Sequence, residues 1–562
     1  MAYLDLAIVA VYLVGALGVG LAVTKKASGS TEEYFVAGRS LPWWLAGTSM
    51  VATTFAADTP LAVTGLVASG GIAGNWIWWS WGIAHVVAAL VFARLWRRLA
   101  VVTDAEIMEL RYSGPPAAVL RLVKAGYAAL FLNCLTMGWV ILAMRKVSVH
   151  LFPEVDPLLL TFGLMALAVL YSMLGGMRSV VITDLVQFGL ALLGAVLLMV
   201  FVVGDMGGIS GLVAGLEETY GAEKSEELLA FWPSGDLPGL PITLFAVLLT
   251  VAWWRQAEGG GYIVQRLGAA KSARHAEQAS IWFAVLHNAI RPWPWILVAL
   301  AALVVWPLET SGVEDREGLY AALMVDKLPV GVLGLMVTSL LAAFMSTIDT
   351  HVNWGSSYIV RDVWERFVGK RHGVLVGRVG VVFMGLIAAI VSLFMDSIAE
   401  VWLFVIMLGS GLGSVSVARW LWWRVNALAE FAALVVSTAL SIGIVVFADD
   451  IGQGERILLV ALGSLAVWVP VALLTRPSAA LSSFYEKARP FGFWGPVAAE
   501  LPHVDTSLGR DVPLRVAAGM LAVFGTLFGL GGAVLRHPAW ALLAIAGLAA
   551  LTWLIRSARE DS

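Results

Sequence analysis

Long apolar runs, separated by short polar loops, recur along the whole chain. They start near residues 5, 41, 73, 118, 157, 180, 240, 276, 332, 374, 399, 427, 456, 514 and 538. A run of about 18 apolar residues is long enough to cross a hydrocarbon core roughly 30 Å thick as a helix. The pattern therefore predicts an all-α polytopic membrane protein with about fifteen transmembrane spans.

Two of the runs are interrupted by polar and helix-breaking residues. Residues 41–71 carry Thr53, Thr54, Asp58, Thr59 and Pro60 in their middle, and residues 240–265 carry Arg255, Gln256 and Glu258 followed by Gly259, Gly260 and Gly261. An unsatisfied peptide group in hydrocarbon costs several kcal/mol, so a break at that depth persists only where it lines a cavity or is buried in protein. Paired breaks in corresponding halves of a chain mark the binding site of a secondary transporter. The first break opens a block of five spans, residues 41–204, and the second opens another, residues 240–423. An odd count inserts the two blocks with opposite topology, as an inverted repeat requires. Around them the expected organisation is an extra span and loop (1–40), an outer loop (205–239), two additional spans (424–475), a linker (476–513), and a terminal helical pair with a short tail (514–562).

Loop charge supplies an orientation. Lys25, Lys26 and Arg39; Arg94, Arg97 and Arg98; Arg266, Lys271 and Arg274; and Arg366, Lys370 and Arg371 fall on one side, which the positive-inside rule makes cytoplasmic. Residues 205–238, with Glu217, Glu218, Glu223, Glu226, Glu227 and Asp236, and residues 309–317 are acidic and belong outside. Arg145 and Lys146, at an outer end, break the alternation. The first run, residues 6–23, has no positive residue before it and Lys25 and Lys26 after it, the reverse of a cleavable signal. It is expected to be a retained helix, with the N-terminus outside and the C-terminus inside a cytoplasmic (inner or plasma) membrane.

Composition agrees with this picture and excludes others. The 562 residues are 60% hydrophobic and 13% charged with a mean hydropathy of +0.85, which no soluble core absorbs. A net charge of -3 with no basic stripe argues against nucleic acid. The single cysteine, Cys134, excludes an intramolecular disulfide and thiolate metal sites, and the eight histidines show no metal-ligand spacing. No histidine-rich or paired-carboxylate loop suggests an enzyme. Residues 476–515, with Phe484, Phe491, Phe493 and Trp494, are expected to lie partly in the membrane interface.

Four stretches carry a resemblance. Tyr34-Phe-Val-Ala-Gly-Arg-Ser-Leu-Pro-Trp-Trp44, Tyr171-Ser-Met-Leu-Gly-Gly-Met-Arg-Ser-Val-Val-Ile-Thr-Asp184, Tyr262-Ile-Val-Gln-Arg266 with Ala269-Ala-Lys-Ser272, and Leu341-Ala-Ala-Phe-Met-Ser-Thr-Ile-Asp349 resemble the sodium:solute symporter family. The resemblance spans residues 5 to about 474 and implies a LeuT-like five-plus-five inverted repeat, with extra N- and C-terminal helices outside it. It also implies a principal sodium site made of the carbonyls of Ala52, Phe55 and Ala343 and the side-chain oxygens of Ser346 and Thr347. Such a set suits a hard cation, because an unwound helix frees carbonyls without adding charge. The structural alternative is that the two hydroxyls bond back to the preceding turn.

In some family members a second sodium lies at positions matching Asp184, Ser346, Asp349 and Thr350. Asp349 stands where serine is usual, so this intramembrane acid needs a cation, a proton or an arginine as its partner. The solute is expected to meet Asp58, Thr59, Trp79, Arg255, Gln256, Glu258 and Tyr262. Arg255 and Glu258, three apart, can pair with each other, or Arg255 and an acid can clamp a zwitterion. The tryptophans at 76, 78, 79, 81, 253, 254, 293 and 295 can hold a sugar face or a quaternary ammonium, or serve as interfacial anchors. At the positions where the family's sugar carriers place their polar contacts, this chain has Thr59, Ser80, Gly260 and Asn288, all different, whereas Tyr262 matches their gating tyrosine.

The resulting expectation is a secondary active transporter, not an enzyme. It couples Na+ to symport of a small organic solute (sugar, amino acid, carboxylate or betaine-like) by alternating access, with no organic cofactor. Its partners are the solute and the bilayer, with no nucleic acid, and it acts as a monomer. Two alternatives remain: proton coupling through Asp184 or Asp349, and a transporter-fold sensor, which needs an output domain.

Overall fold

The computed structural model describes residues 1–27, 30–233, 239–448, 450–506 and 511–560. Asp236 and the side chains of Lys25, Lys26, Tyr171, Leu174 and Ser179 lie outside the described residues. Among those described the chain is helical, with no strand beyond two isolated bridges.

Among the described residues eleven helices are long and apolar enough to cross a membrane, or twelve if the bent pair at the first break counts as one span. Tyr3–Ala16, Pro157–Leu170 and Ile242–Gln256 are apolar but shorter. The last is cut short by the second break, which is one reason that hydropathy alone suggests more spans than helix length supports.

The elements that position the site are α1 (Tyr3–Ala27), α2 (Trp43–Thr54), α3 (Asp58–Gly70), α4 (Ile72–Leu99), α5 (Gly114–Leu151) and α6 (Pro157–Asp205). They continue with α7 (Ile242–Thr250), α8 (Gly261–Ala269), α9 (Ala273–Val305), α10 (Val332–Phe367), α11 (Gly373–Ser392), α12 (Ile398–Leu421) and α13 (Ala427–Phe447). Buried residues make up 89% of the apolar window of α10 and 83% of that of α9, against 33% for α11 and α13. The first two therefore form the centre of the bundle and the last two face lipid.

Both expected breaks are present. Helices α2 and α3 meet at 58°. In the second, α7 passes into a 3-10 turn, Ala252–Gln256, and then through Gly259, Gly260 and Gly261 at φ of 96°, 81° and 58°. Only glycine adopts that backbone without strain three times in succession. A parallel bridge ties the two broken helices together: Leu41, before α2, donates to Ala269 O (3.0 Å) and accepts from Lys271 N (2.9 Å), after α8.

Without a hydrophobic drive between helices in lipid, close backbone approach needs small residues. A Cβ on Gly413 of α12 would fall 2.2 Å from the carbonyl carbon of Trp254, and one on Gly409 would fall 2.1 Å from Arg255 Cδ. These two glycines let the unwound segment press into α12.

Beyond the repeats, Trp293 Nε1 donates to Leu527 O (3.0 Å), seating the terminal pair on α9. Within the linker, Phe484 and Trp494 are buried against protein: Trp494 Nε1 donates to Trp420 O (2.8 Å), and the Arg111 guanidinium lies 4.9 Å from its ring. Phe493, by contrast, is exposed.

Candidate ion and solute site

Helix α2 stops at Thr54, where Phe55 leaves helical space (φ −93°, ψ 70°). The carbonyls of a last helical turn have no partner in their own helix, and here other groups reach them. Phe55 N donates to Ala52 O (3.1 Å). Arg291 of α9 donates to Val51 O (3.3 Å) and Thr54 O (2.6 Å). The Thr347 hydroxyl of α10 lies 2.7 Å from Thr53 O and 3.1 Å from Ala343 O. One side chain thus ties α10 to the unwound end of α2, with Ala52, Phe55, Ala343, Ser346 and Thr347 all buried at this junction. Its donor set is neutral oxygen, which fits a hard monovalent cation.

Beside it, Asp184 of α6 accepts from Ser346 Oγ (2.6 Å) and Ser49 Oγ (2.5 Å). Arg266 of α8 enters the same space. Its Nη2 lies 3.6 Å from Asp184 and donates to Thr350 Oγ1 (2.7 Å) and Thr53 Oγ1 (3.2 Å), while Nε donates to Ser49 Oγ (3.2 Å). Asp184 and Thr350 are therefore engaged by an arginine. Both oxygens of Asp349, fully buried, have no hydrogen-bond partner among the described residues. Gln187 Oε1 is also unpartnered, although its Nε2 donates to Tyr12 OH (3.0 Å) of α1.

A cavity of about 240 Å³ lies between the breaks. The first contributes Thr53, Thr54, Asp58 and Thr59; the second contributes Arg255, Gln256, Glu258 and Tyr262; and Thr347 gives it a wall in common with the ion junction. Trp78, Trp81, Trp139, Trp354 and Trp402 add aromatic surface. Trp79 is not among the lining residues; it packs edge-on against Trp76 and Phe528, and Trp78 lines the cavity in its place. With Trp76, Trp78, Trp79, Trp293 and Trp295 all buried, these rings are core rather than interfacial anchors.

Arg255 and Glu258 do not pair. The helical turn ends at Gln256, so Glu258 leaves Arg255's face and meets α12, bonding Arg419 Nη2 (2.5 Å) and Trp420 Nε1 (2.6 Å). Arg419 also bonds Glu430 (2.5 Å), which holds Lys124 (2.7 Å) and Tyr112 OH (2.8 Å). Arg255 meets no carboxylate and no hydrogen-bond acceptor among the described residues. Gln256 Oε1 lies 3.2 Å from His85 Nε2, and Tyr262 packs against His351 and Trp354. Asp58 opens α3 buried, with Oδ1 unpartnered.

Arg291 and the Arg266 contacts were not anticipated. The available signal was an arginine inside an apolar span, which must have a partner at that depth.

At the far end of α5 a second, shallower pocket is lined by charge. Lys146 bonds Asp315 (2.9 Å) and Glu317 (2.8 Å), and Glu317 accepts from the N-terminal amides of α12, Ile398 N and Ala399 N (3.1 Å each). Lys146 departs from the loop charge pattern because the acidic loop is its partner.

Two interrupted helices meeting at a cavity lined by charged and aromatic side chains, beside an oxygen-lined junction, define an ion-coupled secondary transporter. The sodium:solute symporter family model matches residues 34–436, well over half of the chain, and the protein belongs to that family: a multi-pass membrane protein that performs sodium-coupled symport. Among curated relatives it is 27% identical over 431 residues to a sodium/glucose cotransporter of Vibrio parahaemolyticus, covering 72% of this chain and 77% of that one. It is 26% identical over 424 residues to sodium/glucose cotransporter 4 of Danio rerio, covering 68% of this chain and 61% of the relative. Among solved structures it is similar to a Na+-coupled sialic acid symporter (TM-score 0.70, 20% identity, 85% of this chain and 100% of that one). A weaker likeness is to Mhp1, a nucleobase-cation-symport-1 family transporter (TM-score 0.50, 15% identity, 81% and 98%). These likenesses establish the LeuT-like fold.

Proposed function

We propose that sodium binds at the carbonyls of Ala52, Phe55 and Ala343 and the hydroxyls of Ser346 and Thr347, and drives inward transport of a small organic solute held between the breaks. The supporting observation is the position of Thr347, whose hydroxyl reaches Thr53 O across the unwound end of α2 while the same residue lines the cavity. An ion there draws α10 onto the first break, and the solute closes on the same wall. Coupling is then a difference in affinity between outward- and inward-facing states, felt reciprocally by the two ligands.

The N-terminus is placed outside and the C-terminus in the cytoplasm of the plasma or cytoplasmic membrane. In this orientation the Lys146–Glu317 pair closes the outer end, and the Glu258–Arg419–Glu430–Lys124 group lies on the inner side. Asp349 supports a second cation: an unpaired buried carboxylate is costly, and Arg266 already serves Asp184 and Thr350.

The test is tracer uptake into proteoliposomes. Ser346→Ala and Thr347→Ala should each raise the sodium concentration for half-maximal uptake by about tenfold, as expected when a buried polar partner worth roughly 1–3 kcal/mol is removed. Unchanged sodium activation in both variants would remove the ion from this junction.

A further inference from the structure

Seven charged side chains line the cavity, and five are engaged by the protein itself. Asp104 accepts from Gly261 N (3.1 Å) and from the Tyr358 hydroxyl. Lys124 and Glu430 bond each other, Glu258 is held by Arg419 and Trp420, and Arg291 caps the carbonyls of Val51 and Thr54. The remaining two have opposite sign: the Arg255 guanidinium, with no hydrogen-bond acceptor among the described residues, and the Asp58 carboxylate, which feels the charge of Arg291 but keeps Oδ1 buried without a hydrogen-bond donor.

From this remainder we infer that the solute is a small zwitterion, its carboxylate paired with Arg255 and its ammonium group with Asp58. A neutral sugar leaves Arg255 without an anion and a plain amine does the same, whereas a plain carboxylate leaves Asp58 Oδ1 without a donor; each remainder is costly at this depth. A zwitterion meets both with charge-assisted bonds and adds no net charge to the site.

The Arg255 stem is seated before any solute arrives, because it lies where a side chain on Gly409 would be. Size agrees. At about 240 Å³ the cavity lies below the roughly 300–1,000 Å³ of pockets that enclose drug-sized ligands, which suits a small solute such as an amino acid. The shared chemistry is a carboxylate and a cationic nitrogen on one small frame, which amino acids and N-methylated betaines both supply. The aromatic wall, including Trp78 and Trp139, suits a methylated nitrogen through cation–π attraction.

The inference rests on the cavity being the solute site of the sodium symporter, and the test separates the two. Purified full-length protein is titrated in sodium and in potassium buffer, with thermal stabilisation as the readout. The probes are the proteinogenic amino acids, glycine betaine, propionate, choline and glucose. Stabilisation by an amino acid or by glycine betaine, absent with propionate, choline and glucose, is expected, and the responding arm tells the two nitrogen types apart. Arg255→Gln and Asp58→Asn should each weaken that zwitterion about ten- to hundredfold, Arg255→Lys should weaken it less, and sodium alone should stabilise all three variants as it does the parent, which shows that they fold.

Glucose, propionate or choline stabilising as well as any zwitterion, through an effect that Thr59 or Tyr262 substitution removes, overturns the zwitterion and keeps the cavity. A zwitterion bound equally by parent, Arg255→Gln and Asp58→Asn overturns the assignment of the cavity itself. No response to any zwitterion overturns the inference.

Discussion

At the ion junction nearly every polar side chain is engaged by another, whereas in the cavity across the Thr347 wall Arg255 has no hydrogen-bond acceptor among the described residues and Asp58 Oδ1 has no donor. Ser49, Asp184, Ser346, Arg266, Thr350 and Thr53 form one continuous set of contacts joining α2, α6, α8 and α10. Arg255 and Asp58 line the cavity that shares the Thr347 wall. The contrast separates two kinds of buried polar group. Those at the junction hold helices together and take part in ion binding from within that framework. Those in the cavity keep polar atoms free of protein hydrogen bonds and so are poised for a ligand.

The largest expected effect is therefore at the junction. Arg266→Met leaves the Asp184 carboxylate buried without its cation, and breaking such a pair costs about 3–5 kcal/mol. It should lower the thermal midpoint markedly with or without solute, as measured on detergent-purified protein, and Arg266→Met/Asp184→Asn should recover much of the loss. A single variant with parental stability would dissolve the distinction drawn here. The cavity substitutions at Arg255 and Asp58 come next, acting on solute affinity while sparing sodium-dependent stabilisation. The smallest effect is expected at Trp79, adjacent in sequence to a lining residue but packed on Trp76 and Phe528. Trp79→Phe should leave the solute constant for uptake within about twofold, because a volume-reducing aromatic swap outside the site acts on packing alone; a loss as large as that of Arg255→Gln would move this ring into the pocket.

The two breaks were legible because polar residues and three successive glycines interrupt otherwise apolar runs, and a bilayer tolerates that only around a cavity. The motif singled out Ser346 and Thr347, and the structure sets both beside the first break, where the ion is proposed. The Glu258 partner was not, since Arg419 lies 161 residues away and the local i,i+3 rule holds only while the helix continues. Choosing Trp79 over Trp78 had a related cause. In the Trp76–Trp79 turn all four residues are apolar and buried, so no periodicity marks which face looks inward. Arg291 belongs to the same group: its carbonyl partners exist only because α2 stops where it does.

The central claim is that one residue, Thr347, stands between ion and solute. Solute binding measured at a series of sodium concentrations, in the parent and in Thr347→Ala, tests it most directly. Sodium should raise solute affinity in the parent, solute should raise sodium affinity by the same factor, and Thr347→Ala should lose that mutual dependence while still binding solute at high concentration. Solute affinity in the parent that is indifferent to sodium, or coupling that survives intact in Thr347→Ala, would contradict the account.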